Sequence, residues 1–448
     1  MSIVDEIARI KGNIASAYTV AGGKGATLPA VQNSANLAGC IDTITGGGAS
    51  SDEWQPNPNW WDIKKILDED TRDYPGKVGA IIYAIENVSD FQLSSSGMTA
   101  VATSDGAFYT YADNGANVSH NWDTSKDKDD GRGLKTRWVI YYYTTDTTSD
   151  SFARATNGIS LTSTSISKYG WLINSLVYLV LRINCNKATQ FCYDQRSLEA
   201  INNDGYIISG GSFSEFCRGC YKLRSLPKNI DTSNSTDFYW FLGECGSLTE
   251  IPKTIDTSKG INFVNFLNSC VGLSEIPENI TTDNGVNFTS FLAYCTGITS
   301  LPATMSFTNG TNFSGFLAYC SNIRFVPDAS SYDNSISFSD FLDTCESVTR
   351  LTGVLNMSKN TVSFYSYSGF LNMPFLKDLQ LILPTNTNMW LNKSTRISIE
   401  SFRYIADHAP DVTATPRTLT IGSTNITRCN EADPTIITDL NAKGWTVA

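Results

Sequence analysis

The segment Phe263-Val-Asn-Phe-Leu-Asn-Ser-Cys270-Val-Gly-Leu-Ser-Glu-Ile-Pro277 decides the fold, because its pattern returns every 25 residues. A fixed period of this length is typical of stacked repeats, in which each unit buries its apolar face against its neighbours. The best-kept columns of the pattern are Phe238, Phe241, Leu242 and Cys245; Phe263, Phe266, Leu267 and Cys270; Phe288, Phe291, Leu292 and Cys295; and Phe313, Phe316, Leu317 and Cys320.

Two kinds of element are predicted within each unit. The apolar residues of Phe263–Cys270 stand at i, i+3, i+4 and i+7, which predicts one face of a short helix. Leu273 and Ile276 follow among polar residues, which predicts a short strand that the next proline ends. Stacked units would place these strands about 4.8 Å apart in a narrow parallel sheet. We therefore expect an α/β solenoid over residues 191–384.

The unit resembles the BspA-like leucine-rich repeats, in which a Phe-x-x-Cys-x-x-Leu core and an Asp-Thr-Ser connector recur. The connector stands here at Asp231-Thr-Ser and Asp256-Thr-Ser. This family occurs in bacterial surface adhesins and in phage proteins. The resemblance implies a leucine-rich-repeat fold that binds proteins or glycans, and it leaves the ligand open.

The remaining sequence divides into four segments, which together predict an α+β, multi-domain chain. They are a helical attachment segment (1–48), a β-rich middle domain (52–165), a transition or N-terminal cap (166–190) and a C-terminal capping unit (385–448). In the middle domain, strand composition is found at Val78–Ile85, Thr99–Thr103, Ala107–Tyr111 and Arg137–Tyr143, with a turn at Ser104-Asp-Gly106.

At the N-terminus, Ile3, Ile7, Ile10 and Ile14 form the a/d stripe of a short coiled coil. Isoleucine at both positions favours trimers or tetramers, and a lone amphipathic helix docked on a neighbour is the alternative. The run that begins Ile10-Lys-Gly-Asn-Ile-Ala-Ser-Ala-Tyr resembles the N-terminal segment of tail, baseplate and fibre proteins from phages of Firmicutes. That resemblance implies attachment to other virion proteins.

Two further resemblances point to the same context. Thr103-Ser-Asp-Gly106, His120-Asn-Trp-Asp123, Asp127-Lys128 and Thr136-Arg-Trp-Val-Ile140 resemble a domain of phage structural proteins whose chemistry is uncharacterised. The closing run Lys443-Gly-Trp-Thr-Val447 resembles the ends of phage and surface repeat proteins. The second of these implies a C-terminal cap for the repeats.

Composition bounds the partners and the compartment. A net charge of −11 over 448 residues argues against nucleic acid as a partner, because phosphate binding needs clustered lysine and arginine. The most apolar stretch, Trp171–Ile183, is shorter than a membrane span and contains Arg182, so we expect no membrane insertion. The N-terminus lacks the pattern of an export signal, so we expect folding in the cytoplasm with reduced cysteines.

Catalytic and metal-binding signatures are weak. The two histidines, His120 and His408, belong to no Cys/His cluster or Ser/His signature. One group of aspartates could form a calcium loop, but a solvated charged loop accounts better for them. One group of cysteines could bind zinc, but packing in the core accounts better for them. The calcium candidates are Asp123, Asp127, Asp129 and Asp130, and the zinc candidates are Cys185, Cys192, Cys217 and Cys220. We expect no metal, no cofactor and no catalytic residue.

On the predicted helix, Trp240, Tyr294 and Tyr319 point away from the Phe/Leu/Cys face. Large aromatic side chains on neighbouring units often mark a recognition surface, and stacking on sugar rings would suit them. A contact with another subunit or a covered edge of the core are the alternatives.

Together these patterns predict a phage virion structural protein, a tail, baseplate or head fibre with a receptor-binding solenoid for host-surface glycan or protein. A homo-oligomer, possibly a trimer, is expected from the N-terminal stripe. A bacterial surface adhesin is the first alternative. A capsule-degrading enzyme is the second, and it would need two carboxylates about 5 to 10 Å apart.

Overall fold

The computed structural model describes residues 77–84, 90–93, 98–110, 118–129, 135–143, 176–185, 198–201, 206–209, 211–228, 230–361 and 372–448, with residues 66, 189, 192–194 and 196. All of them belong to one compact unit, Pro56–Ala448. The predicted attachment stripe of Ile3, Ile7, Ile10 and Ile14 lies outside the described residues.

A mixed sheet forms the first part of the described chain. The strands of this part are β1 (Lys77–Ala84), β2 (Asp90–Leu93), β3 (Met98–Thr103), β4 (Phe108–Thr110), β5 (Val118–Asn121), β6 (Lys128–Asp129), β7 (Lys135–Tyr143), β8 (Leu176–Cys185), β9 (Ala200–Ile201), β10 (Tyr206–Ser209) and β11 (Ile230–Asp231). Strands β2 and β5 form a separate antiparallel pair, and the other nine form the mixed sheet. The strand order is β11-β10-β8-β1-β7-β3-β4, with β6 on β7 and β9 on β8. The β-branched and aromatic residues of β7 suit this pleated surface.

The strands predicted for the middle domain are strands in the structure, with ends that differ by one or two residues. The turn between β3 and β4 lies at Ser104–Gly106, where Gly106 has a φ of +95°. This left-handed conformation favours glycine because a Cβ atom would be strained there. The hairpin signal in the sequence therefore located the turn correctly.

Strand β8 lies inside residues 166–190, which the sequence predicted to be a transition. It pairs antiparallel with β1 and parallel with β10, and β10 pairs parallel with β11. One strand thus belongs both to the antiparallel sheet and to the first parallel rungs of the repeats. Residues 176–185 are therefore an integral strand of the fold.

The repeats form a stack of β-turns, called the turn stack below (residues 211–228 and 230–361). In one unit the N–H of Phe266 donates to the carbonyl of Phe263 (3.2 Å), and that of Cys270 donates to Leu267 (3.1 Å). These bonds close two consecutive four-residue turns. Successive units pair in parallel through one residue each, at Ser212, Asp237, Asn262, Asn287, Asn312 and Ser337.

The helix predicted over Phe263–Cys270 is wrong. Within the turn stack no segment is α-helical, and these residues are turns. Two consecutive four-residue turns bury their first and last residues, which produces the same i, i+3, i+4, i+7 spacing as a helical face. The strand predicted for Leu273–Ile276 is also absent, and an isolated bridge, Ser300 to Phe325, occupies the corresponding position one unit later.

Two ladders of phenylalanine rings fill the turn stack. Phe263 and Phe288 stack with ring centroids 5.5 Å apart at 4°, and Phe263 meets Phe266 edge to face at 5.4 Å. Such offset and edge-to-face pairs contribute about 0.5–1.5 kcal/mol each beyond buried area. All sixteen residues of the best-kept columns are buried, none more than 1% exposed.

The C-terminal part continues the stack with longer elements. These are β12 (Arg350–Asn356), β13 (Asp378–Ile382), β14 (Met389–Trp390), α1 (Ile399–His408), β15 (Arg417–Thr420), α2 (Gly422–Ala432), α3 (Thr435–Ala442) and β16 (Trp445–Val447). Strand β13 pairs parallel with β12, and β15 pairs parallel with both β14 and β16. Ser401 of α1 accepts a hydrogen bond from the N–H of Leu379 (2.9 Å), which ties this helix to β13. No helix in the described ranges is long and apolar enough to cross a membrane.

Candidate binding surfaces

Left-handed backbone positions determine which side chains the turn stack presents outward. Each described unit has two residues with positive φ, one in the column of Trp240 and one in the column of Tyr294. Their N–H groups donate to the next unit, as from Trp240 to Val264 (2.8 Å) and from Tyr294 to Ala318 (2.8 Å). A left-handed residue costs about 1–2 kcal/mol, and this hydrogen bond to the neighbouring unit offsets part of that cost.

Tyr294 and Tyr319 form a stacked pair of exposed aromatic rings, called the tyrosine pair below. Their rings stack with centroids 4.6 Å apart at 3°. The side chains are 47% and 40% exposed, although Leu292 and Cys295 beside them are fully buried. The turn geometry directs the tyrosines outward, because each stands between two residues that enter the core. The pair therefore exposes aromatic edges together with its polar hydroxyl groups.

Carboxylates lie beside the tyrosine pair. The charge of Asp343 is the main reason that the pKa of Tyr319 is raised, followed by desolvation. Asp343 is itself buried, and desolvation, then the charge of Asp340, raises the pKa of its carboxyl group. In the part of the chain that the structure describes, Oδ1 of Asp340 is buried without a hydrogen-bond partner. The surroundings of the pair thus contain carboxylate oxygens that can accept hydrogen bonds.

Trp240 does not belong to this pair. It occupies the other left-handed column and is half-buried, and Arg218 lies over its ring at 3.9 Å from the ring centroid. Glu215 holds that guanidinium at 2.6 Å. The ring also crosses Gly243, where a Cβ atom would lie 2.3 Å from the indole. A cation–π contact therefore occupies one side of the Trp240 ring, which agrees with the alternative of a partly covered edge of the core.

The cysteine column has a structural role that packing alone does not describe. Each buried thiol donates to a carbonyl 28 residues earlier, as from Cys270 to Leu242 (3.1 Å) and from Cys295 to Leu267 (3.0 Å). Burial raises the pKa of Cys270 and of Cys320 to about 12. These thiols are weak donors that satisfy carbonyl groups in the core and stay protonated at neutral pH.

Among the described residues, no group of three or more His, Cys, Asp or Glu side chains is placed to hold a metal ion. Cys192, Cys217 and Cys220, three of the zinc candidates, are buried free thiols. Cys185, the fourth, is the last residue of β8. His408 stacks on Tyr404 within α1 at a centroid distance of 3.9 Å.

The calcium candidates have other partners. Asp127 binds Arg137 through two hydrogen bonds of 2.6 and 2.9 Å. Asp123 caps a 3-10 turn by accepting from the N–H of Ser125 (3.0 Å). Asp129 lies 3.6 Å from Lys135, and Asp130 is outside the described residues. Because the guanidinium of Arg137 already pairs with Asp127, these aspartates fit a charged loop better than a cation site.

Trp122, Asp105 and Asp123 of the middle domain come together around that ion pair. Arg137 lies 5.0 Å from the ring centroid of Trp122, and both side chains are buried. The carboxylate of Asp105 accepts from the N–H of Asp123 (2.9 Å), which joins the β3–β4 turn to the same cluster. These residues therefore form a structural cluster, in which removal of one charge would leave the other buried and unpaired.

A cleft near the C-terminal end of the turn stack was missed by the sequence analysis. It has a volume of about 520 Å³ and is lined by Ser321, Asn322, Arg324, Glu346, Ser347, Thr349, Phe375, Lys377 and Arg396. Three of these are cationic and one is anionic, in a chain of net charge −11. The one available signal was Arg324, which stands where the three preceding units have Thr249, Ser274 and Thr299.

Comparison of this chain with protein-family models, with curated proteins and with solved structures gives no match. The candidate surfaces therefore rest on geometry. The tyrosine pair offers an exposed aromatic face beside carboxylates. The cleft offers cationic groups beside an exposed phenylalanine.

Proposed function

We propose that this chain is a phage virion structural protein, of the tail, baseplate or head fibre, whose BspA-like repeats bind a glycan or protein on the host surface. The resemblances of residues 10–18, of the middle domain and of the repeats support the virion context. An N-terminal segment attached to other virion proteins, in a homo-oligomer, would leave the repeats free to meet the host. Light scattering of the pure chain tests whether it is a trimer.

One observation carries the binding part of this proposal: the tyrosine pair. The two exposed rings are stacked face to face, so together they present two aromatic edges and an outer ring face, which an apolar sugar face or an aromatic side chain can contact. The negative charges of Asp343 and Asp340 act on Tyr319, which gives the surroundings of the pair an acidic character. Aromatic platforms with adjacent polar groups recur in ligand sites, because they combine apolar contact with orientation.

We also propose that the surface binds without catalysis. The tyrosine pair is open to solvent, and it suits adhesion through exposed area. Hydrolysis of a glycosidic bond needs two carboxyl groups that flank the bond on opposite sides. Loss of polymer viscosity on incubation of host capsule with the pure chain would contradict this part of the proposal.

Immunogold electron microscopy with antibody against the repeats tests the virion context. Gold at a tail tip or a capsid vertex is the expected result. Gold on cell envelopes without particles would contradict the virion context and favour a bacterial adhesin.

Binding to host cells tests the tyrosine pair. We expect the double variant Y294A/Y319A of the full chain to bind about 10- to 100-fold more weakly, which corresponds to about 1.4–2.8 kcal/mol of lost contact. The matched control is Tyr221→Ala, since Tyr221 is a tyrosine of the same stack with similar exposure, 43%. Unchanged binding by the double variant would show that the pair is not the contact surface.

A further inference from the structure

We propose that the cleft lined by Arg324, Lys377 and Arg396 binds an anionic sugar, a sugar ring that carries a carboxylate or phosphate group. This inference goes beyond the proposed function, because it stands on the cleft alone and needs neither a virion context nor the tyrosine pair. It concerns a different part of the turn stack, and its ligand can be tested with small defined compounds.

Charge selects the ligand class. Glu346 is the one anion among the lining residues, against three cations. Within the described residues neither Arg324 nor Lys377 has an ion pair, and the recorded partner of the Arg396 guanidinium is a phenylalanine ring. The chain as a whole repels anions through its net charge of −11, so this cleft is a local exception. Arginine and lysine both favour phosphate and carboxylate through charge-assisted hydrogen bonds.

Backbone hydrogen bonds fix two of the cationic residues in place. The N–H of Arg324 donates to the carbonyl of Thr299 (2.9 Å), and that of Lys377 donates to Thr349 (2.8 Å). The carbonyl of Lys377 also accepts from the N–H of Ser398 (2.8 Å) at the start of α1. The cleft is therefore held between the turn stack and α1, and binding would order side chains without moving the backbone.

The neutral lining residues favour a sugar over an acidic peptide. Phe375 is 43% exposed, and Arg396 lies 4.7 Å from its ring centroid. The amide of Asn322 donates to the carbonyl of Thr296 (2.7 Å), which orients its oxygen as an acceptor. With the hydroxyl groups of Ser347 and Thr349, these groups can exchange hydrogen bonds with sugar hydroxyls while the phenylalanine edge contacts the ring.

Isothermal titration calorimetry on the full chain tests the proposal. The probes are trigalacturonate and glucose 1-phosphate, with neutral galactotriose and a triglutamate peptide as comparisons. We expect at least one of the two anionic sugars to bind, and to bind more tightly than galactotriose and the peptide. We also expect its affinity to fall as salt rises, because the cleft is open to water. Tighter binding of one anionic sugar than the other identifies the charged group.

Charge-removing variants locate the site. We expect Arg324→Gln, Lys377→Gln and Arg396→Gln each to weaken binding about 5- to 10-fold. All three side chains are exposed, so thermal unfolding should stay within about 1 °C of the parent chain. Lys253→Gln is the matched control, an exposed lysine of the stack outside the cleft. Equal binding of galactotriose, tighter binding of triglutamate, absence of binding by both anionic sugars, or unchanged affinity in all three variants would overturn the proposal.

Discussion

Phe263–Cys270 in the turn stack and α1 in the C-terminal part share one apolar spacing and differ in backbone. The helix buries Phe402, Ile405 and Ala406, and Ala409 directly after its end is also buried, which again gives i, i+3, i+4 and i+7. In the helix the N–H groups bond within the segment. In the turn stack half of them bond to the next unit, so cohesion lies between units. Spacing therefore identifies the buried side chains and leaves the backbone undecided.

The residues between the apolar positions account for the difference. Helix α1 begins at Ser398, whose hydroxyl accepts from the N–H of Ser401 (3.1 Å), and Arg403 pairs with Asp407 one turn later at 2.6 Å. These features stabilise helices. The turn segment has Asn265 and Ser269 at its left-handed positions, and both are poor helix formers that favour turns. Capping and local polar residues decide between the two structures.

The largest expected effect concerns alkaline pH. The unfolded thiol of Cys270 ionises near pH 9, and burial raises the folded pKa to about 12. Its contribution to stability is therefore complete below pH 9 and is lost between about pH 9 and 12. The free energy of unfolding should fall by about 1.4 kcal/mol per pH unit for each such thiol in the stack.

Urea unfolding at pH 8 and pH 10.5 measures this loss of free energy. In Cys270→Ala, the pH dependence of the free energy of unfolding should correspond to about one fewer proton released on unfolding. The C-terminal control, Cys429→Ala, removes a thiol whose pKa is raised chiefly by desolvation, to a lesser degree than that of Cys270. A slope that is the same in the parent chain and in Cys270→Ala would contradict the buried, protonated thiol.

The next effect compares the two regions through phenylalanine. Phe266 has four ring neighbours with centroids 5.4–5.9 Å away. Phe402 in α1 is equally buried and has no ring neighbour among the described residues. We expect Phe266→Leu to lower the free energy of unfolding by about 3 kcal/mol and Phe402→Leu by about 1 kcal/mol, as measured in urea. Equal losses would mean that the ring ladders contribute only volume.

The smallest effect is a difference in stability between glycine and alanine variants, which should have opposite signs in the turn stack and in α2. Ser290 has a φ of +51° in the turn stack, so Ser290→Gly should be about 1 kcal/mol more stable than Ser290→Ala. Thr427 lies exposed within α2, where Thr427→Ala should be about 1 kcal/mol more stable than Thr427→Gly. Thermal melting of the four variants measures both differences. Alanine superior at both sites would contradict the left-handed turn.

The sequence identified a large part of the buried core because a 25-residue period averages over many units. It misjudged the backbone of Phe263–Cys270, since two turns and one helix share the same apolar spacing. It also assigned residues 166–190 to a transition or N-terminal cap, because the distant pairing partners of β8 cannot be found from its local sequence.

The candidate surfaces were predictable in part. Tyr294 and Tyr319 were found because they share a column and stand one period apart. The contact of Arg218 with Trp240 was not predicted, because Arg218 lies in the preceding unit and meets the ring only through the stack. The cleft combines Arg324 with Arg396, which lie far apart in sequence and are brought together only by the fold.

Scalar couplings across hydrogen bonds, measured by NMR on the deuterated full chain, test the turn stack most directly. The account predicts a coupling from the N–H of Asn265 to the carbonyl of Thr289 and from Ser269 to Ala293, where the structure places bonds of 2.8 and 2.7 Å. Couplings from these N–H groups to carbonyls four residues earlier, at Ile261 and Asn265, would show a helix instead and would contradict the account.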